Sequence, residues 1–408
     1  MPTSQPLGSS RGVWARVFLS VIASAVCLAL TTAPHRHREL PGTRPQARAA
    51  LSRQRRPAGL LLVLLLACAP LAGCSLRADQ SALGIPGFSP SAAGHDDQAN
   101  AQAALEYLSP DGEISDGKWV PGEQAQQRWE TLDEGDWNPA GLEELTAAMA
   151  AVSTMRGSQD EETSAAATWT TARSIRFLTD QVPLKDYTDT TKQNLAVLLG
   201  NCPDEIADMA RGGSLEGVNV YGLSGLVTDA QFETVLYRVI DDETAADTLV
   251  ATMLEYHHNQ IDSKMTTATD PEALLLGQYQ FAARSVGYLD GIAELRAGDN
   301  TPDTVDGADI RTVLRAQAYV DAANYGLLSD ATMEAAATGN NGAPFSFYTE
   351  VDGQPTITAP DPITPDAAHE YMRWDRLVED ATMDGLDVRI TNGYNFGYDE
   401  GQAAKVIK

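Results

Sequence analysis

The chain has 408 residues, of which 56 are acidic and 29 basic, and 43% are hydrophobic. The acidic excess is uneven: residues 1–73 contain nine arginines, no lysine and one acidic residue. Residues 74–408 therefore hold 20 basic and 55 acidic residues, a formal charge of −35. A surface this negative repels phosphate and excludes a nucleic-acid-binding body. The hydrophobic content is typical of a packed globular protein rather than of a disordered chain.

Residues 1–50 contain an apolar run, 17–33, that is near the lower length limit for crossing a bilayer. It allows a membrane hairpin in which the arginine-rich loop 34–57 stays inside. The simpler interpretation is that residues 1–50 are an over-extended N-terminus, because residues 51–73 already form a complete signal. Both interpretations place residue 75 on the same side of the membrane.

Residues 51–73 have the order of a secretory signal peptide. Arg53, Arg55 and Arg56 precede an apolar run, 58–69, which is followed by small residues. The run has no polar face, which argues against a surface helix of a globular protein. The segment therefore predicts export of the chain that follows it.

The signal ends in Leu71, Ala72, Gly73 and Cys74, which resembles the lipobox of bacterial lipoproteins. The resemblance implies that the signal is cut before Cys74 and that its thiol receives diacylglycerol. The protein would then be lipid-anchored at the outer face of the cell membrane, with the bilayer as its first partner. The alanine-, acid- and arginine-rich, lysine-poor composition suits an actinobacterial lipoprotein.

Cys202 is the only thiol in the predicted exported body after Cys74. One thiol excludes an intrachain disulfide there. No cysteine-protease signature surrounds Cys202, so we expect a small buried hydrophobic residue rather than a nucleophile.

Residues 74–100 are rich in Ser, Ala, Gly and Pro and predict a flexible tether behind the lipidated cysteine. Residues 101–138 begin with a short helical pattern and continue with Asp-Gly and Pro-Gly turn pairs, which predicts an irregular arm. We expect Trp119, Trp129 and Trp137 to pack this arm on the main domain rather than to form a ligand cage.

Residues 139–408 predict a multi-helix domain. Apolar side chains from Phe232 to Ile240 recur at helical spacing, and Thr228 with Gln231 has the form of a capping box. Asp270 before Pro271 marks the start of a helix that Gly298 ends. A further helix carries an apolar face between these two, from residue 246 to 261. Other helices are predicted near 140–156, 164–180, 188–200, 204–211, 308–328 and 365–382.

One β-hairpin is predicted, in which Phe345–Val351 and Gln354–Thr358 flank the turn pair Asp352-Gly353. The fold class is therefore mainly α: a multi-helix globular body with one small β-hairpin, behind a signal peptide and a flexible tether.

Glu255, His257 and His258 suggest a metal site, but helical geometry points them in different directions. His257 falls on an apolar stripe and is predicted to be a core histidine, whereas His369 is predicted at the surface. The predicted exported body, residues 74–408, lacks the HExxH, Walker and GxSxG motifs. The acidic loop 299–309 departs from EF-hand spacing. We therefore assign no catalytic residue, cofactor or metal ligand.

Three segments resemble uncharacterised helical regions of actinobacterial proteins, some of which are linked to type VII secretion loci. They are residues 195–203 (LAVLLGNCP), 232–241 and 287–291. The overlap spans roughly residues 140–300 and implies a helical domain of unknown function, carried here on a lipid anchor.

Two functions remain open. The first is a non-enzymatic lipoprotein whose helical body binds an envelope or secreted protein, as an accessory or scaffold for envelope or secretion machinery. The alternative is an anchored solute-binding or hydrolytic lipoprotein whose site is assembled only in three dimensions. A deep pocket with several perturbed titratable groups would favour the alternative.

Overall fold

The computed structural model describes residues 85–86, 88–90, 98–215, 222–298, 307–339, 342–351, 353–359, 363–378 and 380–407. All of them fall within one unit of the chain, Arg77–Lys408. Residues 1–50, the predicted signal 51–73 and Cys74 lie outside the described residues, as does most of the tether.

The described part of the chain contains thirteen α-helices and two two-stranded antiparallel sheets, which confirms the mainly α fold class. The helices, in chain order, are α1 Gln98–Leu108, α2 Glu123–Asp133, α3 Pro139–Ser153, α4 Glu161–Asp180, α5 Asp189–Gly200, α6 Pro203–Met209, α7 Asp229–Val239, α8 Glu243–Met265, α9 Pro271–Ala297, α10 Gly307–Asn324, α11 Asp330–Thr338, α12 Pro365–Val378 and α13 Leu386–Gln402. The strands are β1 Gly112–Ser115, β2 Lys118–Pro121, β3 Tyr348–Val351 and β4 Gln354–Ile357.

Helix starts follow the capping residues that the sequence predicts. At α7 the Thr228 hydroxyl accepts from the Gln231 backbone N–H at 3.2 Å, and the Gln231 side chain accepts from the Thr228 backbone N–H at 3.1 Å. The Asp270 carboxylate accepts from the Ala273 backbone N–H at 2.9 Å and starts α9. Gly298, with φ 62°, ends α9 in a conformation that disfavours other residues.

The predicted hairpin is confirmed, although its strands are shorter than predicted and pair Tyr348 with Ile357 and Val351 with Gln354. Gly353 supplies the positive φ of the turn. A stacked row of aromatic rings lies beside it, in which Phe347 packs on Tyr371 with ring centroids 4.2 Å apart. The hairpin is therefore held against α12, as the instability of an isolated hairpin requires.

The short helix predicted at the start of the arm 101–138 is confirmed as α1, but the rest of the arm, predicted to be irregular, forms the β1–β2 hairpin and α2. Asp116 and Gly117 both have positive φ at the hairpin turn. The prediction overlooked this second hairpin because each strand is only four residues long. The helix α2 buries only Ala125, Trp129 and Leu132, so it offers few apolar side chains from which to predict it.

All three tryptophans of this arm pack on the apolar core of the main domain, as predicted. Trp129 is buried and its indole N–H donates to the Leu108 carbonyl at 2.9 Å. Its ring meets Phe177 of α4 edge to face, and Trp137 packs on the same ring from another side. Trp119 is half-buried and packs at the edge of the same apolar core.

Two apolar cores lie along the long helix α9. The first core contains side chains of α1 to α8 together with Tyr288 and Ile292 from the second half of α9. The second core contains Leu275 and Val286 of α9 and side chains of α10 to α13. Because α9 contributes to both cores, it connects helices α1 to α8 with helices α10 to α13.

Helix α13 was missed by the sequence analysis, and it packs directly on α9. Each helix places glycines where the two backbones meet, and a Cβ at any of them would overlap a carbonyl oxygen of the other helix. The glycines are Gly287 and Gly291 on α9 and Gly393, Gly397 and Gly401 on α13. Glycine has a low helix propensity, which obscures α13 in the sequence and allows its close approach in the fold.

Candidate functional site

An open groove of about 640 Å³ lies where α10, α12 and the segment before α13 meet. Arg315 and Tyr319 of α10 are one helical turn apart and share a wall. Asp375 and Arg376 of α12 form the opposite wall. The short helical turn Ala381–Met383 and the start of α13 close one end.

The floor of this groove is apolar and its rim is charged. Met372, Met383 and Leu386 are buried beneath it. Six charged side chains surround them: Arg315, Arg376, Asp375, Asp380, Asp384 and Asp387.

Two of the carboxylates are bound to side chains of the α10 wall. The Tyr319 hydroxyl donates to Asp375, and Arg315 forms an ion pair with Asp387. Burial raises the pKa of Tyr319, and its hydrogen bond to Asp375 raises it further, so the phenol stays neutral. Burial and neighbouring Arg311 lower the pKa of Arg315.

Asp380 holds the end of the groove together. Its carboxylate accepts from the backbone N–H groups of Ser329 at 3.0 Å and Thr382 at 2.9 Å, and from the Thr332 hydroxyl. Burial acts to raise the pKa of Asp380, but these hydrogen bonds prevail and hold it below its usual value. Asp384, by contrast, is exposed at the rim.

His257 is a core histidine, as predicted. It lies between Met253 and Ile261 on the buried face of α8, and its ring nitrogens contact Gln278 Oε1 at 3.3 Å and Ser285 Oγ at 3.0 Å. Burial lowers the pKa of His257 to about 4, so the ring is neutral at physiological pH.

This burial predicts an acid-sensitive stability. Between pH 6.5 and 4, His257 is protonated in the unfolded chain but stays neutral in the folded chain. The free energy of unfolding therefore falls as the pH falls. The loss reaches about 3 kcal/mol by pH 4. Urea unfolding from pH 4 to 7.5 measures it, and His257→Gln should remove this part of the pH dependence. His369→Gln changes an exposed histidine and is the matched control; equal slopes in both variants would contradict the assignment.

The other residues of the suspected metal group do not join His257. His258 Nδ1 lies 3.2 Å from Asp321 Oδ2 of α10, and Glu255 is half-buried, with its pKa raised by burial. Across the residues that the structure describes, no group of three His, Cys, Asp or Glu side chains could hold a metal ion. His369 is exposed, as predicted.

Cys202 is fully buried, as predicted, and its thiol lies 3.5 Å from the Leu198 carbonyl oxygen. Burial raises the pKa of Cys202 to about 12, although nearby Arg156 opposes the shift. A thiol that stays protonated and has no access to solvent is a poor nucleophile. Cys202 therefore fills the core instead of forming a reactive site.

Glu233 ties the C-terminal segment to α7. Its carboxylate accepts from the Tyr288 hydroxyl at 3.2 Å and from the Lys405 backbone N–H at 2.6 Å. The Ile407 backbone N–H donates to the Thr234 hydroxyl at 2.8 Å. Burial raises the pKa of Glu233, while these hydrogen bonds oppose the shift. The carboxylate thus has a structural partner on each side.

The predicted lipidation residue Cys74 and the lipobox residues Leu71, Ala72 and Gly73 lie outside the described residues. Within the ranges that the structure does describe, no helix combines the length and the apolar character needed to cross a bilayer.

Residues 98–309, slightly more than half of the chain, match the profile of a family of unknown function, DUF6571. The chain belongs to this family. No curated protein and no solved structure matches it. The DUF6571 segment extends from α1 to the first turn of α10. The groove and the glycine-rich α13 are therefore built mostly from residues that follow the DUF6571 segment.

The groove was missed by the sequence analysis. Its walls come from residues 315–319, 372–376 and 380–387, which no motif connects. The available signal was the density of acids at the end of α12 and in the following loop, where Asp375, Asp380, Asp384 and Asp387 lie within thirteen residues. Because acidic residues are frequent throughout this chain, the four aspartates do not by themselves indicate a groove.

Proposed function

We propose that this protein is a lipid-anchored lipoprotein at the outer face of the cell membrane whose helical body binds an envelope or secreted protein and turns over no substrate. The observation that carries the proposal is that the side chains best suited to catalysis are buried and bonded to other groups of the fold. His257, Cys202 and Glu233 each have partners inside the fold, and none of them lines the groove.

The charge of the body specifies the kind of partner. Residues 74–408 carry a formal charge of −35. Such a field attracts basic surfaces and repels acidic ones, which speeds encounter with a basic protein and rejects nucleic acid. We infer a basic envelope or secreted protein. The resemblance to segments linked to type VII secretion loci places secretion machinery among the partners to test.

The groove supports the alternative, an anchored solute-binding or hydrolytic lipoprotein, because its volume lies in the range of small-molecule sites. Two features weigh against hydrolysis. The neutral Tyr319 phenol is already bonded to Asp375, and Arg315 is already paired with Asp387. Neither pair leaves a nucleophile beside a general base.

Lipid anchoring is tested by Cys74→Ser. Two acyl chains hold a protein stably on a membrane, whereas removal of the acylated thiol removes the anchor. We expect the variant to remain an uncleaved precursor or to be shed from cells, as measured by fractionation and intact mass. A matched change of the body thiol, Cys202→Ala, should leave fractionation unchanged. Processing and membrane retention of Cys74→Ser like the wild type would refute the lipobox assignment.

Partner binding is tested by crosslinking on intact cells, followed by affinity recovery of the full chain and identification of the crosslinked protein. Cys74→Ser serves as the control for location. A reproducible basic envelope protein supports the proposal. A defined small molecule that co-purifies with the chain, or a hydrolytic activity lost on Asp375→Asn, would instead support the alternative.

A further inference from the structure

The groove is a concave surface whose lining carries more negative than positive side chains. Its lining contains four aspartates and two arginines, so its net charge matches the sign of the whole body. A cleft lined by an excess of one sign concentrates the opposite charge more strongly than a flat surface does.

The carboxylates of the groove differ in how many hydrogen bonds and ion pairs they already make within the fold. Asp380 accepts three hydrogen bonds from the fold, and Asp387 is paired with Arg315. Asp375 receives one hydrogen bond, from Tyr319, and a carboxylate has acceptor positions to spare. Asp384 lies exposed at the rim. Asp375, which also lies near Arg315, and Asp384 are therefore the carboxylates with acceptor positions left for an incoming positive charge.

The apolar floor of the groove suits the methylene stem of a lysine or arginine side chain. Lysine and arginine bury their methylene stems against apolar surface while the charged end stays polar. Met372, Met383 and Leu386 line the groove but are only 8%, 5% and 3% exposed, so the stem would contact the small part of each that reaches the groove; methionine adapts its shape to such a contact.

We propose that this groove receives a lysine or arginine side chain of a basic segment of the protein partner, with the stem on the methionine floor and the charge at Asp375 and Asp384. The inference rests on the proposed function, since it names the partner's chemistry and its place of contact. A second copy of this chain is disfavoured as occupant because like charges would face each other.

Octalysine carrying a fluorescent label is the probe, and the full chain in detergent is the protein. Anisotropy titration should give one-to-one binding that weakens with salt. Asp384→Lys should weaken binding about tenfold, because it places a positive charge at the mouth of the groove. Asp399→Lys makes the same charge change at an exposed position near the other end of α13 and should alter affinity less than about twofold.

Circular dichroism and thermal unfolding verify that both variants fold. Equal weakening by Asp384→Lys and Asp399→Lys, or no binding of octalysine, would overturn the groove assignment. Tight binding of labelled octaglutamate at the groove would overturn it as well. These outcomes leave the proposed function to its own test, because a basic partner recovered by crosslinking could still contact another face of the body.

Discussion

Gly397→Ala is expected to lower the free energy of unfolding by about 3 kcal/mol, although it adds only one methyl group. A Cβ at Gly397 would overlap the backbone carbonyl of Arg284 on α9. A backbone atom cannot rotate away as a flexible side chain can, so the two helices must separate. Four further glycines share this contact, and a shift at one of them loosens the others.

Gly277→Ala is the matched control, because it makes the same substitution in α9 where no atom lies within 4 Å of the new Cβ. Alanine favours a helix over glycine, so this variant should gain roughly 0.5–1 kcal/mol. Denaturant unfolding compares the free energies of unfolding of the two variants, provided that both unfold with the same dependence on denaturant concentration. If Gly397→Ala is as stable as the wild type, the close packing of α9 and α13 is wrong.

Arg156→Met is expected to cost about 3–5 kcal/mol of folding free energy, the usual result of removing one member of a buried ion pair. The Glu205 side chain is only 2% exposed and pairs with Arg156, whose side chain is 12% exposed. Arg156 also donates to the Asn201 carbonyl at 2.6 Å, and Glu205 accepts from the Leu223 backbone N–H at 3.2 Å. The substitution leaves a carboxylate in the core without its counter-charge.

The double variant Arg156→Met with Glu205→Leu should recover much of this loss, since it removes the uncompensated charge and keeps the volume apolar. A double-mutant cycle by chemical denaturation gives the coupling between the two residues. Lys192, whose ammonium meets Asp241 at 2.8 Å nearer the surface, offers a contrast. Lys192→Met should cost about 1 kcal/mol or less. Comparable losses at Arg156 and Lys192 would mean that the Arg156 pair is open to solvent.

Local signals predicted the first half of the helical domain well. The capping box at Thr228, the cap Asp270 with Pro271 at the first position of α9, and the apolar stripe through His257 each depend on residues within two helical turns. The buried thiol of Cys202 was predicted because its neighbours match no catalytic pattern. Predictions failed for α2, which buries only three residues, for α11, which is nine residues long, and for the glycine-rich α13.

The sequence by itself determined the acidic charge, the mainly α class, most helix starts and the turn of the β3–β4 hairpin, because short-range sterics and hydrogen bonds set these features. Only the tertiary structure decided that Gly287 and Gly291 of α9 meet the backbone of the glycine-rich α13, about 110 residues later. It also decided that α10, α12 and the start of α13 enclose a groove. Such pairings depend on which surfaces exclude water together, and no local pattern specifies that choice.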